Sequence, residues 1–263
     1  MEKIKYTLFI LASIIFLISC SDDSITKSEN QSKCKLISYT DSSSYYYKVE
    51  YDNNMVSNLY YYKFDNNEIG ELVRETEVYR NFIDEIVYIN YKDSEGNVNF
   101  VDSVYSNSRG VPYEIVTYNS NGEYVEKSTR IYNNSSQVIT ETIYKYDGTW
   151  KMLSQSKFLY DESGRIIDRK YEQFLLGGSR TEHSVYEYDD MKNINSSVDL
   201  FTLFTKNNRT KELTTYTSRD SVVTTATKNY LYEYNEEGYP IKIETSSSSN
   251  ENVSVRYNQI ICD

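Results

Sequence analysis

Val138-Ile139-Thr140-Glu141-Thr142-Ile143-Tyr144-Lys145-Tyr146 followed by Asp147-Gly148 is one β-strand and one tight turn, and the rest of the chain repeats it. β-branched and aromatic side chains favour a pleated strand, and glycine supplies the positive φ that a tight hairpin demands. An aromatic followed by Asp, Asn or Ser recurs at Tyr51-Asp52, Phe64-Asp65, Tyr105-Ser106, Tyr118-Asn119, Tyr132-Asn133, Tyr146-Asp147, Tyr160-Asp161 and Tyr188-Asp189. The marks Tyr79-Arg80-Asn81 and Tyr91-Lys92-Asp93 belong to the same series with one residue interposed. The steps are close to 14 residues or twice that, the length of one strand of about ten residues plus its turn. Turn chemistry follows the marks, as in Asp93-Ser94-Glu95-Gly96, Asn121-Gly122, Glu162-Ser163-Gly164 and Glu236-Glu237-Gly238.

Sequential strands joined by short turns pair with their neighbours. The spacing therefore predicts an all-β fold: an up-and-down antiparallel meander of about 16 strands, curled into a soluble barrel or half-barrel. It spans 34–263 as a single repeat domain. The period fails between Lys192 and Thr210, where Asp199-Leu200-Phe201-Thr202-Leu203-Phe204 reads as a capping element or plug.

Ten-residue strands would also suit a membrane-spanning barrel, which needs one wholly apolar face per strand. Glu123 to Tyr132 puts Glu123, Lys127 and Thr129 on one face and Glu126, Ser128 and Arg130 on the other. Strict alternation in Lys151 to Tyr160 puts Lys151, Gln155 and Lys157 on one face and Ser154 and Ser156 on the other. No such face could meet lipid. The 29 tyrosines are instead expected to form cross-strand ladders with their hydroxyls toward water.

The first 19 residues are read apart from the fold. Lys3 and Lys5 precede an apolar run from Tyr6 to Ser19, shorter than the about 20 residues a spanning helix needs. It is a signal-peptide core, ending in Leu17-Ile18-Ser19-Cys20. That ending resembles the lipobox of bacterial lipoproteins, which implies that Cys20 carries the lipid anchor and that the membrane is a partner through it. Several acyl chains make such an anchor stable at about 0.8 kcal/mol per buried methylene. Ser21, Asp22 and Asp23 resemble the signal that sends Bacteroidetes lipoproteins to the outer face of the outer membrane. Residues 20–33 then form an anchor and flexible tether.

The repeat units Tyr160-Asp161-Glu162-Ser163-Gly164-Arg165-Ile166 and Tyr232-Glu233-Tyr234-Asn235-Glu236-Glu237-Gly238-Tyr239-Pro240 resemble the tyrosine-aspartate repeats of Rhs-type proteins. They look closer still to a family of Bacteroidetes surface lipoproteins expected to form porin-like antiparallel sheets. The likeness runs from about Tyr45 to Tyr257 and implies architecture and location. It brings no catalytic or binding residues, and Lys192-Asn193-Ile194-Asn195 lacks a proline that the family pattern carries.

Composition narrows the function. Removing residues 1–19 takes away Glu2, Lys3 and Lys5 and moves the charge from −11 to −12, which disfavours nucleic acid as a partner. His183 is the sole histidine and has no nucleophile motif around it. With Cys20 spent on lipid, Cys34, Cys262 and His183 make a poor zinc set, and neither a phosphate loop nor a full calcium loop occurs. No metal or cofactor is expected. The favoured class is a non-enzymatic binding or structural module, its partner a polymer, a glycan or another envelope protein, since tyrosine faces stack on sugar rings. The alternative is a glycan-processing enzyme built on a carboxylate pair.

Two further expectations concern modification. Asp23-Ser24-Ile25, Asp102-Ser103-Val104 and Asp220-Ser221-Val222 are similar to the O-glycosylation sequon of exported Bacteroidetes proteins, making Ser24, Ser103 and Ser221 candidate sites. Cys34 precedes the first strand and Cys262 follows the last, and in an oxidising compartment they are expected to form a disulfide. Two separate thiols are the alternative.

Overall fold

The computed structural model describes residues 34–262 except 41–44, 66–67, 82, 84, 177 and 195–206. Sixteen strands form one closed, wholly antiparallel barrel, each strand paired with its neighbours in sequence and β1 with β16. They are β1 (Cys34–Thr40), β2 (Tyr45–Asp52), β3 (Met55–Asp65), β4 (Glu68–Arg80), β5 (Ile86–Asp93), β6 (Val98–Ser106), β7 (Pro112–Asn119) and β8 (Tyr124–Tyr132). The circuit continues with β9 (Val138–Tyr146), β10 (Trp150–Tyr160), β11 (Ile166–Leu175), β12 (Gly178–Lys192), β13 (Asn207–Thr217), β14 (Val223–Tyr234), β15 (Pro240–Ser247) and β16 (Asn250–Cys262). The expected 16-stranded meander is therefore a barrel and not a half-barrel, so no sheet edge is left exposed. The apolar stretch expected to cap it, Asp199 to Phe204, lies outside the described residues.

The repeat mark is a hairpin device. In the loop from Asp161 to Arg165, Asp161 Oδ1 accepts from the backbone N–H of Ser163 and of Arg165, at 3.0 and 2.8 Å. Its own N–H donates to the Arg165 carbonyl, and the Gly164 N–H donates to its carbonyl. Asn107, Asn119, Asn133 and Asp93 make the same Oδ1 pair of bonds in their loops. The fourth loop residue must take a positive φ, which Gly164 does at 80°. Ser136 and Ser221 occupy that slot at 58° and 61°.

The aromatic of the mark has a separate task. The hydroxyls of Tyr51, Tyr160, Tyr188 and Tyr232 donate to the carbonyls of Leu36, Val138, Ile166 and Arg209, at 2.9, 2.8, 2.7 and 2.6 Å. Tyr132 does the same to Pro112. Each carbonyl lies at or near the start of the preceding strand, so every such tyrosine clamps a hairpin at one end of the barrel. These hydroxyls face backbone and not water, contrary to the expected orientation, because the strand beginning beside each ring offers an acceptor. Cross-strand ladders do form elsewhere, as in Tyr39–Tyr47 and Tyr79–Tyr88, each with centroids 4.2 Å apart.

Strict alternation fails at bulges. Met152 pairs with Tyr144 but Ser154 pairs with Ile143, so Leu153 is an extra residue. Directly opposed residues share a face, and the extra residue puts Lys151 and Gln155 on opposite faces.

Candidate functional site

Cross-strand register sorts the side chains into an inward and an outward set, because opposed residues point the same way. Val78 opposes Ile89, Ile89 opposes Asp102 and Val104 opposes Ile115, and the four apolar members are buried. These rows face the lumen. Following the register around the barrel, the strand arginines Arg74, Arg80, Arg130, Arg169, Arg180, Arg209 and Arg256 all fall on inward rows. Lys48, Lys92, Lys127, Lys170, Lys211 and Lys242 fall on outward ones, while Lys145 and Lys228 oppose the inward Glu126 and Glu212.

The two faces use charge differently. Outside, lysines pair with acids across exposed strand surface: Lys48 with Glu50 at 2.6 Å, Lys211 with Glu187 at 2.9 Å, and Lys242 with Glu233 and Glu244 at 2.6 and 2.8 Å. The Lys48–Glu50 and Lys211–Glu187 pairs stand mid-strand, where charge is costly against hydrocarbon, so the outer wall there faces water. Inside, arginines lie on tyrosine rings: Arg209 on Tyr186 at 3.9 Å, Arg256 on Tyr39 at 3.8 Å and Arg74 on Tyr61 at 4.0 Å. A planar guanidinium is less strongly hydrated than an ammonium and stacks well, which is why it takes the interior positions. Arg130 also makes a buried pair with Glu141, whose Oε1 receives Nε and Nη2 at 2.9 and 2.8 Å and Ser128 Oγ at 3.1 Å.

The two ends of the lumen also differ. All three buried apolar clusters lie toward the end that carries the first residue of β1 and the last of β16. One holds Val78, Ile86, Ile89, Val104 and Ile115; another holds Val138, Phe158, Ile166 and Tyr186. The third gathers Leu36, Ile194 and Tyr239 around Cys34. Cys34 and Cys262 oppose each other there, Cα to Cα 4.0 Å, and their sulfurs are bonded. The tyrosine hydroxyl clamps stand at the same end, which we call the closed end.

Toward the opposite end, the mouth, a cavity of ≈ 520 Å³ is set among Arg74, Tyr91, Phe100, Asp102, Thr117 and Glu126. Asp102 accepts Tyr91 Oη at 2.8 Å and Thr117 Oγ1 at 2.6 Å. Burial and the neighbouring Asp102 charge push the Tyr91 phenol up. Burial first, then the charges of Asp102 and Glu141, push the Glu126 carboxyl above its ordinary value. Phe100 leaves 44% of its surface in solvent at the rim. The lining, which also takes in Lys92 and Asp93, combines aromatic faces, one guanidinium, one ammonium and three carboxyls, the inventory of a site for a polar ligand with hydroxyl groups.

The sequence-derived candidates are scattered by the fold. Cys20, Ser21, Asp22, Asp23 and Ser24 lie outside the described residues. Ser103 stands on an outward row of β6 between the inward Asp102 and Val104, whose side chains are buried. Ser221 occupies an exposed turn at the mouth. His183 lies on the outer wall, with Nε2 2.5 Å from Asp168 Oδ2. Among the described residues no three His, Cys, Asp or Glu side chains gather as a metal site. The lumen arginines and the cavity had no signal in a single strand, since only the register around the barrel puts them on one surface.

No family model and no curated protein matches the chain. Solved structures do match, among them two that align over most of both chains. A porin-like protein from Bacteroides uniformis matches at 11% identity with a TM-score of 0.58, covering 87% of this chain and 95% of that one. A porin-like protein from Bacteroides vulgatus matches at 13% identity and 0.53, covering 86% and 98%. At such identities the likeness is one of fold: this chain shares the barrel architecture of those Bacteroides porin-like proteins.

Proposed function

We propose that the chain is a surface lipoprotein of the outer membrane, held by Cys20, whose barrel is a non-enzymatic module for binding a glycan or another envelope protein. It is not a pore in this reading, because the outer wall carries ion-paired lysines and acids where a spanning barrel is apolar. The observation that carries the proposal is the polarity of the lumen. The chain enters the barrel at Cys34, at the closed end, and the cavity lies toward the opposite end. The tyrosine-aspartate repeat supplies the scaffold, with its turn acids spent on hairpin loops and its ring hydroxyls on strand clamps. That use of the repeat supports kinship with the tyrosine-aspartate lipoproteins.

Fractionation tests the anchoring. Wild-type protein is expected in the outer membrane and cleavable by protease added to intact cells. Cys20→Ala should move it to soluble fractions, and Asp22→Ala with Asp23→Ala should keep it membrane-bound but protected from external protease. A Cys20→Ala protein that still sediments with membranes overturns the anchor.

A glycan-processing enzyme is the second reading, favoured by one observation: of the three carboxyls at the mouth cavity, two lie in unlike settings, Asp102 receiving two hydroxyl donors and Glu126 raised by burial. Release of new reducing ends from a bound glycan, lost in Glu126→Gln, would support it over simple binding.

A further inference from the structure

We infer that the lumen binds an acidic oligosaccharide, one bearing carboxylate or sulfate groups, with Arg74 at the mouth as the anion-contacting residue. The inference deepens the binding reading and rests on it only for the biological setting.

The argument starts from an excess of donors. Arg130, Arg180 and Arg209 each have an acidic partner on the inward face: Glu141, Glu182 and Glu212. Arg74 forms no ion pair among the described residues: Asp93 opposes it across β4 and β5, but Asp93 Oδ1 and Oδ2 are engaged in their own turn, and the guanidinium lies on the ring of Tyr61. Arg169 is similar, reaching Ser156 Oγ at 3.4 Å and lying over Tyr171, while its buried Nε has no hydrogen-bond partner. The buried Nε of Arg209 also lacks one. Buried donors without acceptors are costly, and a native fold satisfies nearly all of them. A ligand rich in acceptor oxygens would satisfy these.

The charge sign follows from the same residues. A guanidinium fork matches a carboxylate or sulfate in bidentate geometry, and stacking on tyrosine fixes its plane in advance. The chain as a whole is acidic, at −11. Several of its outer acids are paired with lysines, and beyond about 8 Å exposed charges are screened at physiological salt. The field inside is set by the inward groups, where the seven arginines with Lys145 and Lys228 outnumber Asp93, Asp102, Glu126, Glu141, Glu182 and Glu212. Polyanions are thus repelled by the body as a whole while a short anion entering the lumen is attracted.

The saccharide class follows from the rest of the lining. Tyr91 and the half-exposed Phe100 offer faces for the apolar side of a sugar ring, and Glu126, whose proton is retained to higher pH than usual, can donate to or accept from ring hydroxyls. The cavity, at ≈ 520 Å³, lies within the about 300–1,000 Å³ range of small-molecule sites.

Calorimetric titration of the mature Cys20→Ala chain with trigalacturonate, its methyl ester and a short polyglutamate tests the inference. Trigalacturonate should bind, and the uncharged ester should bind at least about tenfold more weakly. Arg74→Gln, at an exposed position, should weaken trigalacturonate about tenfold or more with an unchanged urea midpoint; Lys170→Gln on the outer wall should leave it unchanged. Equal binding of acid and ester, binding insensitive to Arg74→Gln, or no binding by trigalacturonate and by a sulfated disaccharide alike overturns the inference. Polyglutamate binding as tightly as the sugar overturns the saccharide class. Each of these results is independent of the fractionation above, so anchoring and ligand class fail separately.

Discussion

Removing the Arg130 side chain tests the assignment of the inward face, on which the account of the lumen depends. Glu141 Oε1 receives three donors, two of them from Arg130, and the pair is largely shielded, with side-chain exposures of 5% for Arg130 and 17% for Glu141. Solvent screening therefore discounts the pair little. Arg130→Ala leaves Glu141 charged in the lumen with Ser128 as a remaining donor, and breaking a buried pair from one side costs about 3–5 kcal/mol. Glu141→Gln keeps an acceptor for the guanidinium and should cost less, about 1.5–3 kcal/mol. Replacing both, Arg130→Met with Glu141→Leu, removes donor and acceptor together and should recover most of the loss. Urea unfolding followed by the fluorescence of Trp150 reads these differences. With a slope of about 3 kcal/mol per M, Arg130→Ala should lower the midpoint by about 1 M or more. A loss under about 1 kcal/mol, the size found for exposed pairs, would mean that Arg130 faces water and that the inward set is misassigned.

Three other outcomes are expected. Denatured, unreduced protein should show no free thiol from Cys34 or Cys262, and reduction should destabilise the barrel by up to about 5 kcal/mol, since the bridge closes 228 residues of separation. Two free thiols would refute the bridge. Because burial keeps the Glu126 proton on to higher pH in the folded chain, the folded state binds more protons than the unfolded one as this carboxyl titrates, and stability falls as pH rises through that window. Glu126→Gln should thus gain stability over wild type as pH rises from about 4 to 7 and match it at the acid end; a constant difference across that range would contradict the sign. Of the candidate glycosylation serines in the barrel, Ser221 should be modified in the native host and Ser103 should not once folded, since Asp102 and Val104 are buried. Glycopeptide mass mapping decides, and sugar on Ser103 alone would reverse the order.

The fold was legible because its cause is local and repeated. Each Asx residue organises its own five-residue loop, so the spacing of Tyr132-Asn133, Tyr160-Asp161 and their counterparts counts hairpins without any long-range information. Closure was less legible. Only the expected pairing of Cys34 with Cys262, which prove to be the first residue of β1 and the last of β16, pointed to those strands meeting. The lumen was not legible at all. Arg169 and Ser184 look like unrelated polar strand residues until the register sets them opposite each other on the inward face. Bulges add to the difficulty: Leu153 switches the side of Lys151, so alternation read from the sequence misplaces one end of β10. The tyrosine clamps were hidden for another reason. A ring followed by Asp or Asn announces the turn, but the carbonyl its hydroxyl meets is about twenty residues earlier in the chain.

Orientation on the cell is the central claim, and one labelling measurement addresses it most directly. Asn53 lies in the two-residue turn between β2 and β3 at the closed end, and Ser221 lies in the turn between β13 and β14 at the mouth. Each is replaced singly by cysteine, and intact cells are treated with a bulky membrane-impermeant maleimide. In the proposed reading, which presents the mouth to the outside of the cell, Ser221→Cys should label rapidly and Asn53→Cys much more slowly, with both labelling equally after the cells are lysed in detergent. Faster labelling of Asn53→Cys, or no labelling of Ser221→Cys until lysis, would contradict an outward-facing mouth.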